Sequence, residues 1–465
     1  MSTDPAAATG STPSPNPDQP DWATLTRYAL IASIAGFALL VVAGSINLAT
    51  GVTEHADAAK RRFMLSYLSG YIYWFSLPVG AMALLMIAYL TKTSWGLLLR
   101  RPLEAAAKTL PAFMVLFVPM ILAVMMVDIS PYWWSNPFEK PLPDVATRLT
   151  TVPEGEPDKG KQAKDASLVM QRKVILAERE EFHEREKGTF HFLSITSFTL
   201  VSIVLFAIWF AMIFFLLKWG NEASDETNNA KVDAALEKLK NFSGPGIIIF
   251  ALTITAAATL WVMSLEPGWS STMFPVIFAV NQFLTCFAFC LTGFLFVVGR
   301  PPFRDLMRPK FQLDMGTLML AFTLFWSYTS FSQFMLVWIG NLPEEIPFFL
   351  KRSDGPWWYV SAGLIALHFA IPFLLLLFRD IKLHPVRLQR VAMYLCVICA
   401  IDVVWWIEPS MENPSGFPYF LMDIGSIVGI GGLFAIFWIR NLKQRPLFPA
   451  SQAFLLPEGH HVGHH

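Results

Sequence analysis

Ten separate stretches of mainly apolar residues run through this 465-residue chain, with approximate limits 24–48, 63–91, 104–128, 189–218, 244–265, 273–299, 315–340, 357–378, 387–407 and 417–439. A helix needs about 20 such residues to cross the roughly 30 Å of a bilayer's hydrocarbon core. Barrel strands would alternate polar and apolar positions, whereas these runs stay apolar, so helices are the spanning structure. Composition agrees: 54% of residues are hydrophobic, 15% are charged and the mean hydropathy is +0.47, more apolar surface than a water-exposed fold can hide. The expected fold is an all-α integral membrane protein with ten transmembrane helices.

Thirty-five basic residues balance 35 acidic ones. That removes the basic surplus a nucleic-acid binder needs and the uncompensated charge of a disordered chain, so no nucleic-acid partner is expected. The charges are unevenly placed. Short loops after the even-numbered spans hold 18 Lys and Arg against 5 in short loops on the other side, which puts both termini in the cytoplasm under the positive-inside rule. Residues 1–22 lack the basic start and apolar core of a secretory signal and read as a disordered cytoplasmic tail. The long outer loop 129–188 carries 10 basic and 11 acidic residues. Its second half reads as a charged helix with apolar Leu168, Met170, Val174, Ile175 and Phe182.

Span five ends in Trp261-Val-Met-Ser-Leu-Glu266-Pro267 and span nine in Trp405-Trp406-Ile-Glu408-Pro409. Four spans separate the two glutamates, an even number, so spans two to five and six to nine would form two units of the same orientation. Alternatively, each Glu-Pro pair simply ends a helix, because proline disfavours helical geometry in the residue before it.

Ionisable groups in hydrocarbon are costly and are the first candidates for function. Asp402 and Asp423 lie well inside apolar runs, Asp128, Glu266 and Glu408 stand at outer helix ends, and His368 falls near the middle of span eight. Tyr328 and Gln333 on span seven, with Asn281 and Gln282 on span six, add hydrogen-bonding groups. Such a set suits proton relay or a quinone carbonyl, and equally suits plain helix packing if each group pairs with a neighbour. Cys286, Cys290, Cys396 and Cys399 all fall in apolar runs and read as packing residues. No second histidine shares the depth of His368, so no haem is expected in this chain; an iron–sulfur cluster would need four convergent thiolates and would place charge in lipid, so none is expected either, and no metal site is assigned.

Several segments together resemble one family: SGPGIIIFALTITAAATLWVMSLEPGWSSTMFPVIF at 243–278, LFWSYTSFSQFMLVWIGNLPEEIPFF at 324–349, and the stretch from His368 through Pro372 to Arg379. The runs Asp402-Val-Val-Trp405-Trp406-Ile-Glu408-Pro409 and Asp423 to Phe434 extend the likeness, which covers about residues 60–449. The chain is similar to the NrfD/PsrC-like quinone-interacting membrane subunits, of the ActF type found in bacterial alternative complex III, a quinol:electron acceptor oxidoreductase. The resemblance implies two four-helix bundles, spans 2–5 and 6–9, plus two peripheral helices. It divides the chain into the tail 1–22, peripheral helix one and its outer loop 23–62, a first bundle 63–265 containing loop 129–188, a second bundle 266–408, and peripheral helix ten with a cytoplasmic tail 409–465.

The resemblance also implies a bacterial cytoplasmic-membrane location and a partner set. That set comprises a second NrfD-like membrane subunit, an iron–sulfur subunit, multihaem and monohaem cytochromes c, small membrane anchors and a terminal oxidase. Menaquinol would be oxidised by the assembly, at this chain or in the sister subunit. On that reading Asp128, Glu266, His368, Asp402, Glu408 and Asp423 form a proton path, with Tyr328 and Gln333 as quinone contacts. Two other readings stay open: a secondary transporter, suggested by the same-orientation repeat and buried carboxylates, and a structural scaffold without proton or quinone traffic.

Overall fold

A computed structural model describes residues 21–50, 56–91, 93–126, 129–135, 193–225, 228–266, 269–298, 309–341, 345–353, 355–410 and 417–445. Among them the chain is all-helical, and nine helices are long and apolar enough to cross a membrane. It is a multi-pass integral membrane protein. The helices are α1 (Trp22–Thr50), α2 (Ala56–Thr91), α3 (Ser94–Ala107), α4 (Leu110–Met125), α5 (Ile195–Asp225), α6 (Asn229–Trp261), α7 (Phe274–Val298) and α8 (Pro309–Gly340). They continue as α9 (Ile346–Ser353), α10 (Trp357–Leu364), α11 (Ile371–Leu377), α12 (Arg379–Leu383), α13 (Pro385–Ile407) and α14 (Phe417–Lys443).

The helix short of the expected ten is α8. Its 32 residues reach about 48 Å at 1.5 Å per residue, so length is not the obstacle. Its hydroxyls, Gln312 and Gln333 keep it less apolar than the nine. It nevertheless packs along α7 and α11.

Two boundaries depart from the sequence reading for local reasons. The third span, expected over 104–128, is two helices, because Pro111 stands in the first turn of α4, where a missing N–H costs nothing and a new helix starts readily. The basic loop expected after span four is mostly helix: Lys231, Lys238 and Lys240 lie on α6, whose entry is capped by Asn228 accepting from the Ala230 N–H at 3.0 Å. Val232, Ala235 and Leu236 on that extension pack on Ala223 of α5. The tail 1–20, the loop segment 136–192 and the C-terminal 446–465 lie outside the described residues, and with them the expected loop helix.

At the centre stands α2, buried on nearly every side and packed against α3, α6, α7, α13 and α14. The first and last spanning helices, α1 and α14, lie side by side. They approach so closely that a Cβ on Gly36 would fall 2.2 Å from the Gly429 nitrogen, which is the small-residue packing that substitutes for a hydrophobic driving force in lipid. Ser33 Oγ on α1 donates to the Gly429 carbonyl at 3.0 Å across the same seam. Residues such as Val115, Leu200, Leu252, Phe331 and Trp338 point outward and are exposed, as a hydrocarbon solvent permits.

One segment breaks helical regularity. Ile365–Ala370 widens into a π-turn, and the Ile371 N–H reaches back five residues to the Ala366 carbonyl. Pro372 follows directly, and its missing N–H and bulky ring disrupt the preceding α-helical register. His368 lies inside the widened turn and is wholly buried.

Candidate functional site: three buried carboxylate clusters

The first cluster centres on Asp402, 1% exposed within α13. Leu395, Cys399, Asp402 and Trp406 recur at helical spacing on the buried face of α13. Asp402 Oδ2 accepts from Asn281 Nδ2 of α7 at 2.8 Å and from Trp326 Nε1 of α8 at 2.8 Å. Both donors are neutral. The His368 ring stacks on Trp326 with centroids 3.7 Å apart, placing Nδ1 3.7 Å from Asp402 Oδ2 and Nε2 3.6 Å from Cys399 Sγ. His368 Nδ1 and Asp402 Oδ1 have no hydrogen-bond partner among the described residues. Thr285 Oγ1 donates to Asn281 Oδ1 at 3.2 Å and holds that amide's orientation. The π-turn, α7, α8 and α13 therefore converge on one carboxyl and one imidazole.

A second cluster joins α2, α13 and α14. Arg62 forms an ion pair with Glu408, donates from Nη1 to the Glu408 carbonyl at 3.3 Å, and lies 3.9 Å from Asp423 through Nη2. Ser66 donates to Asp423 Oδ1 at 2.5 Å, and Ser69 to Glu408 Oε1 at 3.3 Å. Glu408 and Asp423 are buried. Arg62, Ser66 and Ser69 follow an i, i+4, i+7 stripe, so one face of α2 serves both carboxylates.

Glu266 anchors the third cluster. Lys351 donates to its Oε2 at 2.8 Å and Arg352 to its Oε1 at 3.1 Å, both from the last turn of the short helix α9. Arg352 is fully buried and also donates to the carbonyls of Phe348 (2.8 Å), Trp405 (3.1 Å) and Trp406 (2.6 Å). Its guanidinium lies 3.5 Å over the Phe348 ring. Burial pulls the Arg352 guanidinium below its ordinary pKa, and the Glu266 carboxylate opposes that pull.

Five of the six acids and imidazoles expected on a proton path are therefore placed, in three separate clusters, while Asp128 lies outside the described residues. The two groups expected to contact quinone do not converge. Tyr328 is 67% exposed on the outward face of α8, whereas Gln333 is buried and its carbonyl accepts from Ser271 at 2.5 Å. Gln282 is buried next to Asn281 and its amide has no partner among the described residues.

Sequence reading missed the cations and the aromatic donor. Arg62 and Arg352 enter that reading only in the count of loop charges, Trp326 only within the run 324–349, and Cys399 as a packing residue. The polar stripe 62, 66, 69 on an otherwise apolar helix was a usable signal for the first. Comparison with protein-family models and with curated proteins finds no match to this chain.

Proposed function

We propose that the chain is a proton-handling membrane subunit of a respiratory menaquinol-oxidising assembly of the alternative complex III kind. One observation carries this reading: Asp402, buried in an apolar helix bundle, is held by two neutral donors beside an imidazole instead of by a cation. A carboxylate kept merely for packing is normally paired, since leaving it unpaired in hydrocarbon costs several kcal/mol. Asp402 and His368 together form a site whose net charge changes when a proton arrives or leaves.

In this reading the two-bundle arrangement, with α2 and α7 at the seam, is the scaffold, and both termini face the cytoplasm of a bacterial inner membrane. Quinol oxidation releases two electrons and two protons. The electrons pass to the iron–sulfur and haem groups of partner subunits, this chain carrying no redox centre. Because Tyr328 and Gln333 form no common pocket, the quinol is assigned to the sister NrfD-like subunit, and no step is routed through a quinone on this chain. His368 and Asp402 exchange protons between the bundle interior and the end bearing Glu266 and Glu408.

A secondary transporter is favoured by the π-turn at Ile365–Ala370, since broken helices mark many transport sites. Its counterpart in the first unit, α5, runs unbroken from Ile195 to Asp225, which leaves the transporter without the paired interruption.

The test is to purify the chain under mild conditions and record haem c absorbance, iron content and quinol-dependent electron transfer, for wild type and Asp402→Asn. The asparagine keeps the acceptor for Asn281 and Trp326 but cannot carry the proton. Turnover should fall by about a hundredfold, the scale of a lost general acid–base group, while partners stay bound. Unchanged turnover removes the proton role, and a single-protein species without haem or iron removes the respiratory assembly.

A further inference from the structure

Cys399 and Asp402 stand three residues apart on the buried face of α13, a spacing that sets both side chains on one face about 4.5 Å apart along the helix axis. The His368 ring bridges them. Its Nδ1 lies 3.7 Å from Asp402 Oδ2 and its Nε2 lies 3.6 Å from Cys399 Sγ. The stack on Trp326, 3.7 Å between centroids and 26° between planes, holds the ring in that orientation. Among the described residues, Cys399 Sγ is the only hydrogen-bond partner of Nε2. A neutral imidazole carries one N–H proton, so one nitrogen donates and the other accepts. Asp402 decides which. Its Oδ2 already accepts from Asn281 and Trp326, and a proton taken up by the carboxyl goes to Oδ1, which has no partner among the described residues. Oδ2 therefore turns a lone pair toward Nδ1 in either charge state, and only an N–H at Nδ1 suits it. Nε2 is then bare in a fully buried ring and needs a donor.

We infer that Cys399 is a positioning residue for His368: its S–H donates to Nε2 and holds the ring in the tautomer whose proton points at Asp402. Buried helical cysteines otherwise serve as small apolar fillers, and Cys286 spends its thiol on a backbone carbonyl, that of Leu77 at 3.3 Å. Cys399 turns instead to a side chain of the Asp402 cluster. Thr285 adjoins the same sulfur, but its hydroxyl proton goes to Asn281 Oδ1 at 3.2 Å, so it supplies the thiol with no donor and leaves the S–H free for the stronger acceptor, the bare ring nitrogen. The choice of tautomer matters because an imidazole releases a proton only from the nitrogen that bears it. A proton on Nδ1 faces the carboxyl, whereas a proton on Nε2 would face the thiol. That consequence rests on the proton-handling reading proposed above; the tautomer and its cause do not.

Solid-state NMR of the full chain in liposomes, with isotope-labelled histidine, reads the tautomer without quinol or partners; the His368 signals are those lost in His368→Phe. Nδ1 should carry the proton in the wild type, and Cys399→Ala should lower the ratio of the Nδ1–H to the Nε2–H form by about fivefold, the scale of one lost hydrogen bond. Cys290→Ala, which removes a buried thiol on α7, should leave the ratio unchanged. Infrared absorption in the S–H stretching region gives a second reading that does not depend on how Cys399→Ala folds. In His368→Phe, which keeps a ring on Trp326 but offers no acceptor, one S–H band should move to the frequency of a free thiol. A wild-type proton on Nε2, an unchanged ratio in Cys399→Ala, an equal fall in Cys290→Ala, or no shifted S–H band in His368→Phe would each overturn the assignment. Lost turnover in Asp402→Asn together with any of those results keeps the proton role and removes Cys399 from it. The expected spectra together with unchanged turnover in Asp402→Asn remove the proton role and keep the tautomer.

Discussion

Two neighbourhoods six residues apart, one on α13 and one in the turn that ends it, treat a buried carboxylate in opposite ways. Glu408 meets the Arg62 guanidinium, which also approaches Asp423, and two serines supply further hydrogen bonds. Asp402 meets an amide, an indole and a nearby imidazole. Glu266 belongs with Glu408, since Lys351 and Arg352 both hold it. A buried ion pair fixes a charge in place, because removing either partner strands the other in a medium that cannot solvate it. Neutral donors position a carboxyl without fixing its charge. The ion-paired acids therefore read as fasteners between helices, joining α2 to α13 and α14 and joining the Glu266 turn to α9, and Asp402 as the group left able to change state.

The largest effect should come from breaking the doubly used cation. Arg62→Ala leaves Glu408 and Asp423 facing one another without a guanidinium, and thermal unfolding in detergent should show a loss of about 5 kcal/mol, the upper range for a stranded buried charge. Adding Glu408→Gln and Asp423→Asn to the same chain should restore most of it, since the neutral set has no charge left to strand. Failure of the triple variant to recover would mean that Arg62 acts through packing, and the contrast with Asp402 would then lose its electrostatic basis.

Arg352→Met should cost less, about 3 kcal/mol. Glu266 keeps Lys351, and methionine fills much of the space over Phe348, but three carbonyls at the α9–α13 contact lose their donor. Unfolding measured alongside Arg62→Ala gives the ranking directly. An Arg352 variant as damaging as Arg62→Ala would show that the carbonyl contacts, rather than the carboxylate, dominate.

What the sequence made legible follows from periodicity. Apolar runs revealed the spanning helices, and the rarity of charge within them singled out Asp402, Asp423 and His368. Pairing was not legible, because it depends on which helices touch. Arg62 comes 346 residues before Glu408, and Asn281 comes 121 before Asp402, and nothing local records those meetings. Trp326 was overlooked for a different reason: an indole contributes to an apolar pattern and to a hydrogen bond alike, and only the second matters here. The π-turn at His368 was partly foreshadowed by Pro372, which marks a disturbed helix without saying whether it kinks, ends or widens. The weak apolar character of α8 reflects its polar groups, among them Gln312 and Gln333, which are needed or tolerated inside a bundle.

The smallest predicted effect is the most diagnostic. Trp326→Phe removes one of the two donors on Asp402 Oδ2 and retains an aromatic ring against His368. Asn281 remains to hold the carboxyl, so the loss should be about 1 kcal/mol, the ordinary net contribution of a single hydrogen bond. The measurement is again thermal unfolding in detergent, with Trp338→Phe on the exposed face of α8 as the reference for losing an indole that no buried group uses. A loss of 1 kcal/mol beyond that reference keeps Asp402 apart from the ion-paired acids. A loss on the scale of Arg62→Ala would put it among them, because it would mean the indole N–H is balancing a fixed charge, and the distinction between fastened and changeable carboxyls would fail.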